Sequence, residues 1–184
     1  MKMAKRNYNC GYKNFHYSVR TAEGASPPLP LPGAIKLSFV PQTSERSVLV
    51  RKRDGSISSF TEKAEETGKR AELEILSLPV YFLKDVLGYT QDENGVLIER
   101  THPAVHVSLL YETKYGEERV RHELIDCVFS KPSFDVSTIA MTPAADTRKM
   151  DVILNRDPAS GGYEKSISES DNAEIFNGWF NSVY

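Results

Sequence analysis

The hydrophobic pattern is clearest over residues 71–99. Ala71, Leu73 and Ile75 alternate with Glu72 and Glu74, the period of a half-buried strand. Val80, Leu83, Val86 and Leu87 follow at helical spacing and predict a helix of about two turns. Pro79 suits its first position, because the ring fixes a helical φ and the missing N–H has no partner there. Gly88 suits its end, because glycine takes the left-handed conformation of a C-terminal cap. A helix this short is unstable alone, so its Leu83, Val86 and Leu87 face is expected to pack on the adjoining strands. Asp92-Glu93-Asn94-Gly95 carries turn chemistry, after which Val96, Leu97 and Ile98 resume extended chain.

The same period of two recurs elsewhere. Phe15, Tyr17 and Val19 alternate with polar neighbours, and so do Ile35, Leu37 and Phe39, a strand expected to close at Pro41. Residues 27–33 between them hold four prolines and cannot form a central strand, since proline supplies no ladder N–H. With no basic residue beside them to favour docking in an aromatic groove, they read as an extended connector. Val105, Val107, Leu109 and Tyr111 open a strand that turns at residues 114–117 into a long partner over 119–129. That partner places Val120, Leu124 and Val128 on one side and Ile125, Cys127 and Phe129 on the other, the pattern of a strand buried on both faces. Residues 134–142 predict another strand, and Met150, Val152 and Leu154 one more. At the C-terminus, Asp171 precedes Glu174 by three, a capping-box spacing. The pairs Ile175–Trp179 and Phe176–Phe180 then fall at helical i, i+4 spacing, and Trp179 and Phe180 are expected to pack this second helix onto the sheet. Many short strands with two short helices predict a mainly-β chain, a β-sandwich or barrel-like single domain over residues 1–184.

Residues 42–68 differ: apolar residues thin out, and Ser, Thr, Glu, Lys and Arg dominate. Residues 47–53 face residues 56–60 across Asp54-Gly55, a dipeptide favoured in two-residue hairpin turns whose central positions need positive φ. The segment therefore predicts a long exposed β-hairpin arm. An isolated hairpin is marginal in water, so the arm is expected to lean on another surface, such as a neighbouring chain. Val48, Val50, Ile57 and Phe60 would supply apolar contacts there, and Arg51, Lys52 and Arg53 would meet carboxylates. Phosphate is the other target for that basic run, but no aromatic residue is interleaved with it as nucleic-acid binding would favour.

Composition narrows the function classes. The 184 residues are 40% hydrophobic and 26% charged, with a net charge of −2, which announces neither nucleic acid nor an acidic membrane surface as a partner. No run approaches the roughly 18 apolar residues of a membrane helix, and the basic N-terminus is followed by no apolar segment of a secretory signal. Cys10 and Cys127 read as two reduced thiols, with a single disulfide left open. His102 and His106 have the spacing of a helical metal pair, but on extended chain residues four apart lie about 13 Å from each other, too far for one zinc. A calcium-loop register through Asp92 puts Thr90 and Thr101 at the first and last ligand positions, where carboxylates are required. No nucleophile elbow, phosphate loop or dinucleotide fingerprint occurs. No catalytic residue, metal or cofactor is expected.

Several blocks, taken in order, carry a resemblance. YKNFHYSV (12–19), PLPGAIKLSF (30–39), the whole of 71–99, HVSLLYETKYGEERVRHELIDCVFSKPSF (106–134) and NAEIFNGWFNSVY (172–184) together resemble the major tail proteins of the tail-tube family of long-tailed phages and prophages. Residues 42–68 match no block. The resemblance implies a barrel-like tail-tube fold with a short flanking helix and a C-terminal helix. It implies hexameric rings of self-associated subunits, stacked through a long loop and the termini into a tube. DNA passes through that channel without specific binding. It further implies tape-measure, tail terminator and tip proteins as partners, no membrane, and a virion component assembled in the host bacterial cytoplasm. Glu72 and Glu74 become candidates for an acidic or neutral channel wall, since a basic wall would hold each phosphate it met. The tube protein of a contractile injection or secretion system is an alternative that shares the fold. A monomeric β-sandwich binding module is another, expected to show exposed aromatics on a concave face.

Overall fold

The period-two stretches become strands, and most pair with a neighbour in sequence. The computed structural model describes residues 9–133 and 147–183, leaving the side chains at 9–10, 41, 43–48, 50 and 58–67 undescribed. In chain order the elements are β1 (Asn9–Thr21), β2 (Gly24–Ala25), β3 (Leu29–Pro30), β4 (Ala34–Arg51), β5 (Ile57–Ile75), α1 (Val80–Asp85), β6 (Tyr89–Gln91) and β7 (Leu97–Glu99). They continue with β8 (His106–Tyr115), β9 (Glu118–Phe129), β10 (Arg148–Asn155), β11 (Glu164–Ser168) and α2 (Ala173–Gly178). The fold is mainly β with two short helices, as the pattern predicts. The strand expected over 134–142 lies outside the described residues.

One antiparallel sheet runs in the order β2-β1-β8-β9-β10-β5-β4, with β3 beside β1 and β11 beside β9; β6 and β7 form a separate ribbon. The sheet rolls around a single core. Phe15 and Tyr17 of β1, Leu37 of β4, Leu73 and Ile75 of β5, Val107 and Leu109 of β8 and Met150 and Val152 of β10 all bury in the same cluster. The proline connector bridges the two ends of the roll: the Leu31 N–H donates to the Phe15 carbonyl at 2.7 Å, and the Leu76 N–H to the Gly33 carbonyl at 2.9 Å. Leu31 buries beneath it.

Local chemistry corrects several expectations. β4 does not stop at Pro41 but continues to Arg51, with Pro41 opposite Lys69. Among the described residues β4 has only β5 as a ladder neighbour, and an edge strand is where a missing N–H leaves no bond unmade. In β9 the expected sides break. Val107 pairs with Cys127 and Leu109 with Leu124, so β9 spends one extra residue there. This bulge flips the parity, so that Leu124 joins Cys127 and Phe129 in the core. The carbonyl freed at Ile125 accepts from Ser108 Oγ at 2.8 Å and from Arg20 Nη1 at 2.7 Å. β11 has no apolar alternation, and no strand is expected there from sequence; it forms by pairing Glu164 with Leu124 through to Ser168 with Val120.

Both helix starts shift by one residue. Pro79 is the residue before α1, extended at φ −63° and ψ 145°, rather than its first helical residue. Asn172, not Asp171, caps α2, its side chain accepting from the Glu174 and Ile175 N–H groups. The face of α1 that packs is rotated too. Phe82 is fully buried, edge-on to Tyr17 and Phe129 at ring-centroid distances of 5.0 and 5.4 Å. Val86 and Leu87 bury as expected, Leu83 is partly buried against the core, and Val80 stays 45% exposed. Gly88 ends this segment with φ +75°, where an added Cβ would lie 2.3 Å from the Cβ of His102. In α2, Phe176 and Trp179 bury and Ile175 does not.

The energetic weight of α1 therefore rests on Phe82. Phe82→Ala should lower the unfolding free energy in urea titration by about 3–5 kcal/mol, whereas Val80→Ala should stay within about 0.5 kcal/mol. Similar losses at both positions would contradict this packing.

Candidate functional site

The arm is built by β4 and β5 after they leave the core. Their pairing continues from Val40 opposite Arg70 out to Arg51 opposite Ile57. At the tip the Gly55 N–H donates to the Lys52 carbonyl at 3.0 Å, and the Lys52 N–H to the Ser56 carbonyl at 2.8 Å. This is a three-residue loop of Arg53, Asp54 and Gly55, not the expected two-residue turn: only Gly55 takes a positive φ, +83°. Asp54 instead holds the loop through its carboxylate, which accepts from the Ser56 N–H at 2.9 Å and Ser56 Oγ at 2.6 Å. Those bonds hold its carboxyl below the usual carboxylate range.

The extra loop residue moves the register by one. Ile57 faces Arg51, which puts it on the same face as Leu49 rather than with Val50. Leu49 is 71% exposed and Ile57 64% exposed. Leu49 is therefore an exposed apolar residue of the arm on the same face as Ile57, a placement that the turn type sets and the hydrophobic pattern does not. Arg51, Lys52 and Arg53 are exposed around it. The side chains of Val48, Val50 and Phe60 lie outside the described residues.

Glu72 and Glu74 project together away from the core, as their alternation with Ala71, Leu73 and Ile75 requires. They do not stand as a bare acidic pair. Lys149 Nζ lies 3.1 Å from Glu72 Oε1 and 3.9 Å from Glu74 Oε1, and Lys36 Nζ lies 4.0 Å from Glu74 Oε2. The hydrogen bond from Lys149 to Glu72 raises the lysine pKa above its ordinary value. Arg70 and Asp151 share this outward face in register, with Asp151 directly opposite Glu72, so the β4-β5-β10 surface mixes both signs of charge.

The opposite half of the sheet is covered on its outer side by α2. Glu112 of β8 is buried there and meets Arg121 Nε at 3.0 Å and Lys13 Nζ at 3.0 Å. Arg121 also donates to the Phe176 carbonyl and lies over the Phe176 and Phe180 rings at 4.1 and 4.6 Å. Trp179 Nε1 donates to the His122 carbonyl at 3.3 Å, and His16 stacks on Phe180 at 4.5 Å. Trp179 and Phe180 thus tie the end of α2 to the sheet. Burial alone would raise the Glu112 carboxyl, but the bonds from Lys13 and Arg121 outweigh it and hold it low.

At the arm end of the rolled sheet, His122 Nδ1 lies 2.7 Å from Glu164 Oε1 and its Nε2 lies 2.8 Å from Thr113 Oγ1. The Tyr111 ring stacks on His122 at 4.7 Å, and its hydroxyl donates to Glu164. Burial would raise the Glu164 carboxyl, yet His122 and Tyr111 hold it low. Both ring nitrogens of His122, the Tyr111 hydroxyl, Thr113 Oγ1 and Glu164 Oε1 are engaged within the group, the arrangement of a structural clasp between β8, β9 and β11. His106 pairs with Asp126 at 2.7 Å. Among the described residues no cluster of three His, Cys, Asp or Glu could hold a metal ion. Cys127 is a free, fully buried thiol whose pKa burial pushes up. No helix among the described residues is long and apolar enough to cross a membrane.

No family model and no curated protein matches this chain. Among solved structures it is similar to the sheath/tube terminator of an extracellular contractile injection system in the extended state, at 10% identity and a TM-score of 0.40, over 84% of this chain and 92% of that one. It is also similar to a chain of the sheath-tube complex of such a system, at 11% identity and a TM-score of 0.39, over 84% of this chain and 88% of that one.

Glu112 and Glu164 set an acid limit on the fold. Both have folded pKa values below the roughly 4.3 of an unfolded glutamate, so their contribution is complete above that pH and is lost as pH falls through the folded values. Urea titrations from pH 7 down to pH 3 should show falling stability. The gap between wild type and Glu112→Gln should narrow along the way. A gap that stays constant to pH 3 would contradict the assignment.

Proposed function

We propose that this protein is a structural subunit that polymerises with itself, closing into hexameric rings that stack into the tail tube of a long-tailed phage and so form the conduit for DNA ejection. The observation that carries this reading is the β4-β5 hairpin. It extends far beyond the strands that pack on the core, carries a ladder that resumes after two register shifts beside Thr43 and ends in a bonded turn, and presents Leu49 and Ile57 to solvent. A hairpin with so little core of its own is an element built to meet another surface. The resemblance of the ordered sequence blocks to tail-tube proteins supports this assembly.

The mixed charge of Lys36, Glu74, Lys149, Glu72 and Asp151 suits a channel wall. Turned towards DNA, such a face would offer phosphates little net attraction, and contacts that bind each phosphate would otherwise add along the tube. In this reading Glu72 and Glu74 keep the wall from being basic rather than making it acidic. The subunit's role in this reading is structural rather than catalytic. Its partners are further copies, with tape-measure, terminator and tip proteins at the ends, in a virion assembled in the bacterial cytoplasm.

Replacing residues 42–68 by a tight turn tests the reading. The expected result is a subunit with an unchanged circular dichroism spectrum that no longer builds long tubes in electron micrographs. Tubes of normal length would refute the role of the arm, and loss of the β spectrum would assign the arm to the core instead.

A further inference from the structure

The molecule carries a second β-ribbon, and its chemistry is the complement of the arm. β6 and β7 join through a loop of the same kind: the Gly95 N–H donates to the Asp92 carbonyl at 3.1 Å, the Asp92 N–H to the Val96 carbonyl at 3.0 Å, and Gly95 has φ +84°. The Asp92 carboxylate fixes the loop by accepting from the Asn94 and Val96 N–H groups. Val96 and Ile98, two apart on one face, are 55% and 40% exposed. Asp85, Asp92, Glu93 and Glu99 lie along residues 85–99 with no basic residue among them. Lys131 pairs with Glu99, which leaves the loop tip acidic through Asp92 and Glu93. The arm tip shows the reverse: a two-residue apolar stripe of Leu49 and Ile57 beside Arg51, Lys52 and Arg53.

Strand direction places these two features at opposite ends of the rolled sheet. β4 leads outward from Ala34 to the tip, and β5 returns to Ile75, after which α1 and the β6-β7 ribbon follow. The ribbon end is therefore the end where β5 finishes and β8 begins, while the arm leaves beside the finish of β8 and the start of β9.

We propose that the arm tip of one copy docks on the β6-β7 ribbon of the next copy, Leu49 and Ile57 against Val96 and Ile98, with Lys52 and Arg53 facing Asp92 and Glu93. This rests on the tube reading and deepens it by naming the acceptor of the arm. Complementary surfaces at opposite ends make a head-to-tail contact that cannot satisfy itself within a pair, so it propagates along an axis. The opposite charges set the register of the joint and oppose contact between two arms or two ribbons. Each joint is small, and in a ring several joints act together, which multiplies a weak contact into a stable one.

The experiment uses four full-length proteins: an arm variant (Lys52→Glu with Arg53→Glu), a ribbon variant (Glu93→Lys with Val96→Ser), a chain reversed on both sides, and wild type, read by sedimentation velocity and electron microscopy after circular dichroism has shown each to be folded. Neither the arm variant nor the ribbon variant alone should form tubes. Mixed together they should assemble where neither does alone, the two alternating along the axis, because the wild-type arm of one meets the wild-type ribbon of the other and the reversed arm meets the ribbon carrying Glu93→Lys. A single chain with reversed charges on both sides (Lys52→Glu, Arg53→Glu and Glu93→Lys) should regain tubes. If wild type forms tubes and the ribbon variant does so equally well, the arm docks elsewhere and this inference is wrong while the tube reading stands. If wild type forms no tubes or rings under any condition, both fall.

Discussion

The structure depends on a mismatch of lengths. β5 has 19 residues, but its neighbour β10 has 8 and pairs with it only from Lys69 to Ile75. Among the described residues the rest of β5 pairs only with β4, and together they leave the sheet as a hairpin. A sheet edge that is neither covered nor closed is a surface for another chain. The edge placement of β4 is also why Pro41 can sit within it, and why its ladder continues into a segment too polar to hold a core. Everything that reads as assembly in this molecule follows from those strands outrunning the roll that anchors them.

The anchor has to be rigid for such an arm to be aimed, and burial on both faces of β8 and β9 supplies that. The inner face packs Leu109, Leu124 and Cys127 into the core. The outer face is sealed by Phe176 and Trp179 of α2. Sealing it puts Glu112 out of water, a cost that is offset only because Arg121 and Lys13 converge on it and Arg121 also reaches the last turn of α2. Arg121 is thus held by a carboxylate, a carbonyl and two aromatic faces at once. A bulge at Ile125, stitched by Ser108 and Arg20, lets the same strand serve both layers.

The readable part of this fold was the part governed by period. Alternation over 71–75, 107–111 and 150–154 placed the inward residues correctly, because a strand packed on one core has no freedom to choose its faces. What escaped was set by single backbone events. One extra residue in β9 moved Leu124 to the other side, and one extra loop residue at Arg53-Asp54-Gly55 moved Ile57 beside Leu49. α1 turned to bury Phe82 because its rings could meet Tyr17 and Phe129, contacts distant in sequence. β11 carried no pattern at all; it is held by pairing with β9 and by Glu164 reaching His122 and Tyr111. The arm was visible as a composition, but the chemistry of its tip depended on register, and the acidic ribbon gained meaning only when strand direction set it opposite the basic tip.

The central claim is that the subunit is built to repeat along an axis. The most direct measurement is electron microscopy of the purified full-length protein across a range of concentrations. The account predicts rings at low concentration and hollow tubes of uniform diameter as concentration rises. A population that stays monomeric and featureless at the highest soluble concentration, with the β spectrum intact, would contradict it.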